Sequence, residues 1–425
     1  MIAFTRALQK LSKVAPAEVA ATSASFFLGL ILMVSYYLLR PVRDAMSSQW
    51  SDAELSTLWT INFFFSFIVI AVYSFFASRA PLKKVAPGVY VFFSATFFLF
   101  YLAATLFPES GLTDKSFYVW VSVYSLLQMS VLWAFLATIF TTEQSKRLFG
   151  VITSGASVGA IVGPSVPLLF SDIGVQHLML LASVCLLFAL PLVAYLNRTY
   201  ESTASTSNPA SLKTIVGGNV LSGFKVFLRS RFLLAIGFFL FLYTGISSFV
   251  YFELKNLMVD MDFQRRTEIW AFIDLTTNTL TVLAGLLLTS RIATRFGIGV
   301  TLAIIPLVVV IALLSIVVFP MLAVVVGLQV VRRSGNYAIT RPAREMLFTC
   351  VDREARYKAK QVVDVVVYRG GDVFWAWSFT LLTAGFGLGV AGVAGAGAAI
   401  AFVWAILGFY LGKEADKKRQ VRRRD

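Results

Sequence analysis

The strongest constraint on the fold is a recurrence. Apolar runs of about twenty residues appear near 20–39, 58–77, 88–106, 117–141, 149–170, 176–196, 232–252, 269–289, 298–319, 321–340, 361–386 and 390–411. About twenty mainly apolar residues, rising about 1.5 Å each, match the ~30 Å hydrocarbon core of a bilayer. Inside lipid every backbone N–H and C=O must be satisfied within the chain, so runs of this length read as helices. Composition agrees: 58% of the 425 residues are hydrophobic, more than a soluble core needs. The expectation is an all-α membrane protein with about 12 transmembrane helices. The first run follows Arg6, Lys10 and Lys13 as a signal peptide would. It is longer than an h-region and no A-x-A site closes it, so it is read as a retained span.

The net charge of +15 suggests nucleic acid until the charges are placed. Of 37 lysines and arginines, 28 fall in segments on one side of the membrane and four (Lys115, Lys255, Arg265, Arg266) on the other. The remaining five, Arg40, Arg43, Arg332, Arg333 and Arg369, lie in or at the apolar runs. This is positive-inside bias, and it predicts that both termini are cytoplasmic. The tail "KEADKKRQVRRRD" reads as a topology signal and anionic-lipid anchor rather than a nucleic-acid arm. Membrane lipid is thus an expected partner, nucleic acid is not, and no obligatory protein partner is evident. Cys185 and Cys350 give no disulfide framework. His177, the one histidine, has no ligand-spaced partner, so neither a metal site nor a histidine-based hydrolytic triad is expected. There is no P-loop for primary pumping, and no cofactor is implied.

Six runs, a polar segment "NRTYESTASTSNPASLKTIVGGN", then six more suggest two halves. The expected divisions are an N-terminal six-helix bundle (1–196), a cytoplasmic linker (197–230), a C-terminal six-helix bundle (231–412) and a basic cytoplasmic tail (413–425). "SRAPLKKVAPG" at 78 is echoed by "SRIATRFGIG" at 290, an offset of 212 (290 − 78). Glu143-x-x-x-Arg147 is echoed by Glu354-x-x-x-Lys358 at an offset of 211 (354 − 143). Corresponding loops of a 6 + 6 pattern matching at nearly one offset resemble the two pseudo-symmetric bundles of major-facilitator proteins, with a solute path between halves. Gly155, Gly159 and Gly163, four apart, give the fifth run a face that lets a neighbouring helix approach closely.

Charges within the apolar runs are costly and therefore informative. In "SYYLLRPVRDAMSSQW", Arg40, Arg43 and Asp44 share one helix face at i, i+3 and i+4. Ser51-x-x-Glu54 is a capping-box pattern that starts the second helix near Asp52 and leaves almost no loop. The first helix is therefore expected to run to about residue 46 with Pro41 inside it, which sinks these charges below the membrane rim. Arg332 and Arg333 follow a dozen apolar residues. In "KAKQVVDVVVYRGGDVFWAW", ~100° per residue puts Asp364, Tyr368 and Asp372 in one wedge with Arg369 beside it. Five arginines exceed what Asp44, Asp274, Asp364 and Asp372 can neutralise, and an excess of buried planar donors points to a carboxylate or phosphate solute.

"NYAITRPAREMLFTCVDREARYKAKQVVDVVVYRGGD" resembles the signature of the ATP/ADP translocase (nucleotide transporter) family of plastids and obligate intracellular bacteria. Pro342, Arg344, Glu345 and Met346 stand in that family's Pro-x-Lys-Glu-Met element, and Lys358, Lys360, Asp364 and Arg369 in the Lys-Gly-Lys run and the arginine that follows. "YYLLRPVRDAM" is similar to its helix-1 pattern, with Arg40, Arg43 and Asp44 in register, and "WAFLATIFTTEQSKRLFG" to its fourth helix and loop. The chain departs from the family at Asp372, where a lysine is expected, at about Thr138 and around 247–249, where acids are expected. The resemblance implies a secondary transporter in a bacterial inner (plasma) membrane, exchanging an organic anion of nucleotide (ATP/ADP) type by alternating access, and not an enzyme. The implied solute-binding set is Arg40, Arg43, Asp44, Arg332, Arg333, Arg344, Lys358, Lys360 and Arg369. The alternative is a proton-coupled permease for a different solute, with Asp44, Asp274, Asp364 or Asp372 titrating or ion-paired. A third reading, a membrane-embedded glycosyltransferase, rests on the Asp260-x-Asp262 pair.

Overall fold

Every apolar run becomes helical in the computed structural model, which describes residues 14–80, 82–108, 110–170, 173–204, 220–352, 355, 359–360 and 362–422. The first six helices are α1 (Val19–Met46), α2 (Asp52–Arg79), α3 (Leu82–Leu106), α4 (Gly111–Ile139), α5 (Thr142–Leu169) and α6 (Val175–Ala204). A short amphipathic α7 (Val220–Arg229) precedes α8 (Arg231–Asn256), α9 (Phe263–Leu287) and α10 (Thr289–Val318). Then come α11 (Leu322–Gly335), α12 (Arg341–Phe348), α13 (Tyr368–Thr380) and α14 (Val390–Arg422). Among the described residues ten helices are long and apolar enough to cross a membrane. The tenth and eleventh runs are the other two. They are broken by π turns at Asn336–Thr340, Val362–Val367 and Leu381–Gly385.

The short loop after α1 forms as its sequence requires. The helix continues to Met46 with Pro41 inside it, and one 3₁₀ turn (Ser47–Gln49) fills the gap to α2. There the capping box closes in both directions: Glu54 N–H donates to Ser51 Oγ at 3.2 Å and Ser51 N–H to Glu54 Oε2 at 3.0 Å. The segment boundaries differ from the hydropathy estimate. α6 runs past residue 196 to Ala204, α7 occupies part of the linker, and α14 continues through 412 to Arg422. Hydropathy windows stop where polar residues start, but Glu, Lys and Arg are good helix formers, and a Lys417–Glu414 pair at 2.8 Å supports the last turns.

The described chain divides into two compact units. Unit 1 comprises Met1–Ser47, Phe64–Thr214 and Met261–Leu275; unit 2 comprises Ser48–Phe63, Ile215–Asp260 and Thr276–Asp425. The expected split at the linker is thus modified at two places, the first turns of α2 and of α9. These two segments end at Phe63 and Leu275, an offset of 212 (275 − 63) that repeats the spacing of the loop echoes.

In lipid, close backbone packing must hold helices together, since burial against lipid tails gains little. Unit 1 does this with the α5 glycines. A Cβ at Gly163 would lie 2.6 Å from Tyr37 Cβ, and one at Gly155 or Gly159 would collide with the carbonyl oxygen of Phe26 or Leu30 on α1. In unit 2, Gly412 of α14 meets Gly299 of α10 backbone to backbone, and Trp375 of α13 covers Gly245 of α8. Gly297 has φ +76°, a left-handed value that breaks α10 near its start and that glycine adopts without strain.

Candidate functional site

The twelve charged residues singled out in the sequence fall into three places, with one exception. Lys358 lies outside the described residues. So does Glu354, with which it forms the second loop echo.

The first place is the end of α1 in unit 1. Arg40 Nη1 stands 3.5 Å from Asp274 Oδ1 of α9, and Arg40 Nε 3.5 Å from Asp44 Oδ2. Arg43 forks onto Asp44 Oδ1, with its Nε at 2.9 Å, and its Nη1 donates to Ser122 of α4 at 3.3 Å. The guanidinium carbons lie 5.7 Å from the Tyr37 ring (Arg40) and 5.4 Å from the Tyr118 ring (Arg43). Asp44 and Asp274 are fully buried. Two arginines therefore meet two carboxylates, and this cluster carries no net charge.

The second place lies at the joint of α12 with the π turn Val362–Val367. Arg344 Nη2 pairs with Asp364 Oδ1 at 3.1 Å and with Glu345 at 3.6 Å, while Lys360 pairs with Glu345. Lys360 and Arg341 also lie within electrostatic reach of Asp364. This corrects the expected wedge of Asp364, Tyr368 and Asp372. The i→i+5 turns of Val362–Val367 are wider than α turns, so 100° per residue misplaces Asp364. Asp364 turns to Arg344, whereas Asp372 faces Arg369 and Arg332.

The third place is in unit 2, where α8, α11 and α13 meet. Arg332 and Arg333 are 2% and 3% exposed. Arg332 Nη2 donates to Gln329 Oε1 at 2.6 Å, but its Nε and Nη1 are buried without a hydrogen-bond partner among the described residues. Its guanidinium carbon lies 5.9 Å from the Tyr243 ring. Tyr337, Tyr368 and Arg333 are within its electrostatic reach. Asn336 Nδ2 donates to Tyr243 Oη at 3.0 Å, and the rings of Tyr243 and Tyr368 lie 6.4 Å apart. The π turn Asn336–Thr340 begins one residue after Gly335, against which Ile305 of α10 packs. Two π turns border this cluster of tyrosines and arginines, a frequent setting for function. Arg369 and Arg332 both act on Asp372, Arg333 lies within reach of Arg332, and buried cationic donors aimed at one place can hold a carboxylate or phosphate.

Lys255 was missed. Read as a loop charge, it is 1% exposed in the last turn of α8, donates to Trp50 O at 2.6 Å and pairs with Asp52 at 2.8 Å. The repeat contains the signal: 255 − 43 = 212, so Lys255 and Asn256 stand where Arg43 and Asp44 stand in the first half. Asp52 also accepts from Thr383 at 2.8 Å, and Ser56 meets Thr380 at 2.8 Å, which docks the first turns of α2 on α13. Arg266, another loop assignment, is buried and donates to Met261 O at 2.8 Å. The Asp260-x-Asp262 reading also changes. Asp262 Oδ1 accepts from Arg265 N–H at 2.8 Å, so it caps α9, and no group of three or more metal-ligating side chains occurs among the described residues.

Comparison with known proteins follows the same division between fold and solute. Over 299 residues the chain is 25% identical to ADP,ATP carrier protein 1 of Chlamydia muridarum, covering 61% of this chain and 56% of that relative, so it spans little more than half the relative's length. Its fold is similar to the crystal structure of the nucleoside transporter NupG, with TM-score 0.65 and 13% identity over 93% of this chain and 98% of that one. A bacterial homologue of the human lysosomal transporter Spinster, inward-facing and unoccupied, gives TM-score 0.61 and 12% identity over 95% and 98%. The inward-open xylose transporter XylE of E. coli gives 0.55 and 13% over 90% and 94%. A model of the Major Facilitator Superfamily matches residues 25–343, three quarters of the chain, and the chain, a multi-pass membrane protein, belongs to that superfamily.

Proposed function

We propose that the solute is an organic anion of the phosphorylated, nucleotide type, held by Arg332, Arg333 and Arg369 and exchanged by alternating access. The observation that carries this is Arg332: a 98% buried guanidinium with two donors unmet among the described residues. A buried donor left unsatisfied costs about 1–3 kcal/mol, and an oxyanion is the group that would meet both at once. The charge balance supports the same residues. In the α1 cluster each arginine meets a carboxylate, whereas in unit 2 Arg332 and Arg369 act together on Asp372 with Arg333 beside Arg332. Tyr243 and Tyr368 add aromatic faces suited to a flat base. The named activity of the Chlamydia muridarum relative is consistent with this class of solute.

On this reading Arg40, Arg43, Asp44 and Asp274 brace α1 against α9, and Arg344, Lys360, Glu345 and Asp364 tie α12 to the approach to α13. Exchange follows from repulsion between Arg332 and Arg333. The empty cluster resists the change of state, and a bound anion removes that barrier. The positive-inside distribution supports an inner (plasma) membrane location with both termini cytoplasmic. Proteoliposomes preloaded with ATP, ADP, a sugar phosphate or a nucleoside, then offered labelled solute outside, test the proposal. Counterflow limited to phosphorylated solutes and abolished by Arg332→Ala is expected; counterflow of the nucleoside alone would overturn it.

One observation favours a second reading. Asp372 stands among the arginines where the resembled family has lysine, as a proton-coupling carboxylate in a permease for a different solute would. Uptake driven by an imposed pH gradient without internal solute, and lost in Asp372→Asn, would select it.

A further inference from the structure

Unit 1 contains a cavity that neither the ion pairs nor the solute site uses. It measures about 620 Å³ and lies between α2, α3 and α4. Its wall runs along α2 from Phe65 to Phe76, about 16 Å at about 1.5 Å per residue, and on to Ala80 just beyond the helix, which matches the ~15 Å hydrocarbon depth of one leaflet. Of sixteen lining residues only Tyr73, Lys84 and Trp120 carry a polar side-chain atom, and the Trp120 indole N–H already donates to Thr96 at 2.9 Å. A polar solute would find almost nothing to bind. Ile68, Val72, Phe76 and Phe92 line the cavity and are exposed, so it is open along an apolar side. One end is basic: Lys84 lines it, and Arg79 and Lys83 flank it in "SRAPLKKVAPGVY", a stretch with no acidic residue. Arg79 rests its guanidinium 3.5 Å from the centre of the Phe75 ring.

We propose that this cavity binds one bilayer phospholipid with an anionic headgroup, an acyl chain lying along α2 and the phosphate at Lys84. An apolar slot as long as a leaflet is deep, with Lys84 at one end, complements that molecule in both shape and charge. A zwitterionic lipid would fill the slot but gain less from the basic end.

Gly88 provides the test. It lines the cavity, and a Cβ placed there meets nothing within 4 Å, so Gly88→Phe fills the slot without displacing the backbone. The purified full-length protein in detergent is titrated with phosphatidylglycerol or phosphatidylcholine of identical chains and read by native mass spectrometry. One tightly retained phosphatidylglycerol is expected, favoured about fivefold over phosphatidylcholine, as one lysine near an anionic headgroup contributes. Gly88→Phe loses that molecule, and Lys84→Gln keeps a lipid but loses the headgroup preference. Equal retention of both lipids by the wild type, or unchanged retention in Gly88→Phe, overturns the proposal. Fluorescence is a second readout that does not depend on the filled variant. Phosphatidylglycerol brominated on its chains quenches the wild type more than Trp120→Phe if the chain lies in the slot, and equal quenching of the two refutes it.

Discussion

Arg332 sets function against stability in a way that can be measured. The double substitution Arg332→Met with Gln329→Leu removes the guanidinium and its one hydrogen-bond partner together, leaving no new orphan. Two buried unmet donors at about 1–3 kcal/mol each are relieved, and one hydrogen bond to a charged group, about 1.5–3 kcal/mol, is lost. The net expectation is a gain of about 1–3 kcal/mol in the solute-free protein. For a cooperative unit of this size about 2–4 °C accompanies each kcal/mol, so the melting temperature in detergent rises by about 2–12 °C. Solute reverses the order. Saturation at a hundred times Kd stabilises the wild type by about 2.7 kcal/mol, and the double variant shows no shift. The stability half requires no knowledge of the solute: a solute-free variant that melts below the wild type shows that the Arg332 donors are met, and the anion argument then loses its support.

Two further substitutions probe the frame around the site. Asp274→Asn leaves Arg40 with one of its two carboxylates and lowers stability by about 3 kcal/mol, as breaking a buried pair does. Adding Arg40→Gln restores most of that loss, and thermal melts of all four proteins give a coupling energy of about 1–3 kcal/mol, whereas additive effects would show the pair to be incidental. Gly159→Leu drives a side chain into the Leu30 backbone and is expected to prevent a monodisperse protein on size exclusion. Gly150→Ala, where a Cβ meets nothing, leaves the elution profile unchanged.

The membrane fold was legible because lipid leaves so few options. Length, apolarity and the positive-inside bias locate the helices, and the Ser51 box fixes the start of α2 to the residue. The glycines of α5 were legible for the same reason, since a four-residue spacing of missing side chains serves close approach. The site was only half legible. That charges sit in the membrane can be read from the sequence, but which charge meets which depends on helix phase. At α13 the phase was lost to a π turn that no hydropathy pattern signals, and so Asp364 and Asp372 were grouped although they serve different clusters. Lys255 was lost for another reason. It sits one residue before the end of α8, where a loop begins by composition, and only alignment of "SYYLLRPVRDAM" with "SSFVYFELKNLM" at an offset of 212 shows that it occupies Arg43's place.

The two halves share a repeat but not a charge balance, and Asp372 is where that difference can be tested. In unit 2 Arg332 and Arg369 both act on Asp372, and Arg333 stands within reach of Arg332. Replacing Asp372 by Asn removes the carboxylate that acts on Arg332 and Arg369 while preserving its shape. A unit charge about 10 Å away in a medium of effective dielectric about 20 contributes about 1.7 kcal/mol, so an anion at the arginines should bind roughly fifteen- to twentyfold more tightly. The solute-free protein should lose stability by a similar amount, since the repulsion among the arginines is then less compensated. Isothermal titration with a nucleotide and a melt of the same sample read both. Tighter binding with a lower solute-free melting temperature fits an anion exchanger in which Asp372 moderates affinity so that the solute can leave. Unchanged anion affinity combined with loss of pH-driven uptake would instead make Asp372 the coupling carboxylate of a permease, and the arginines its ion-pair partners.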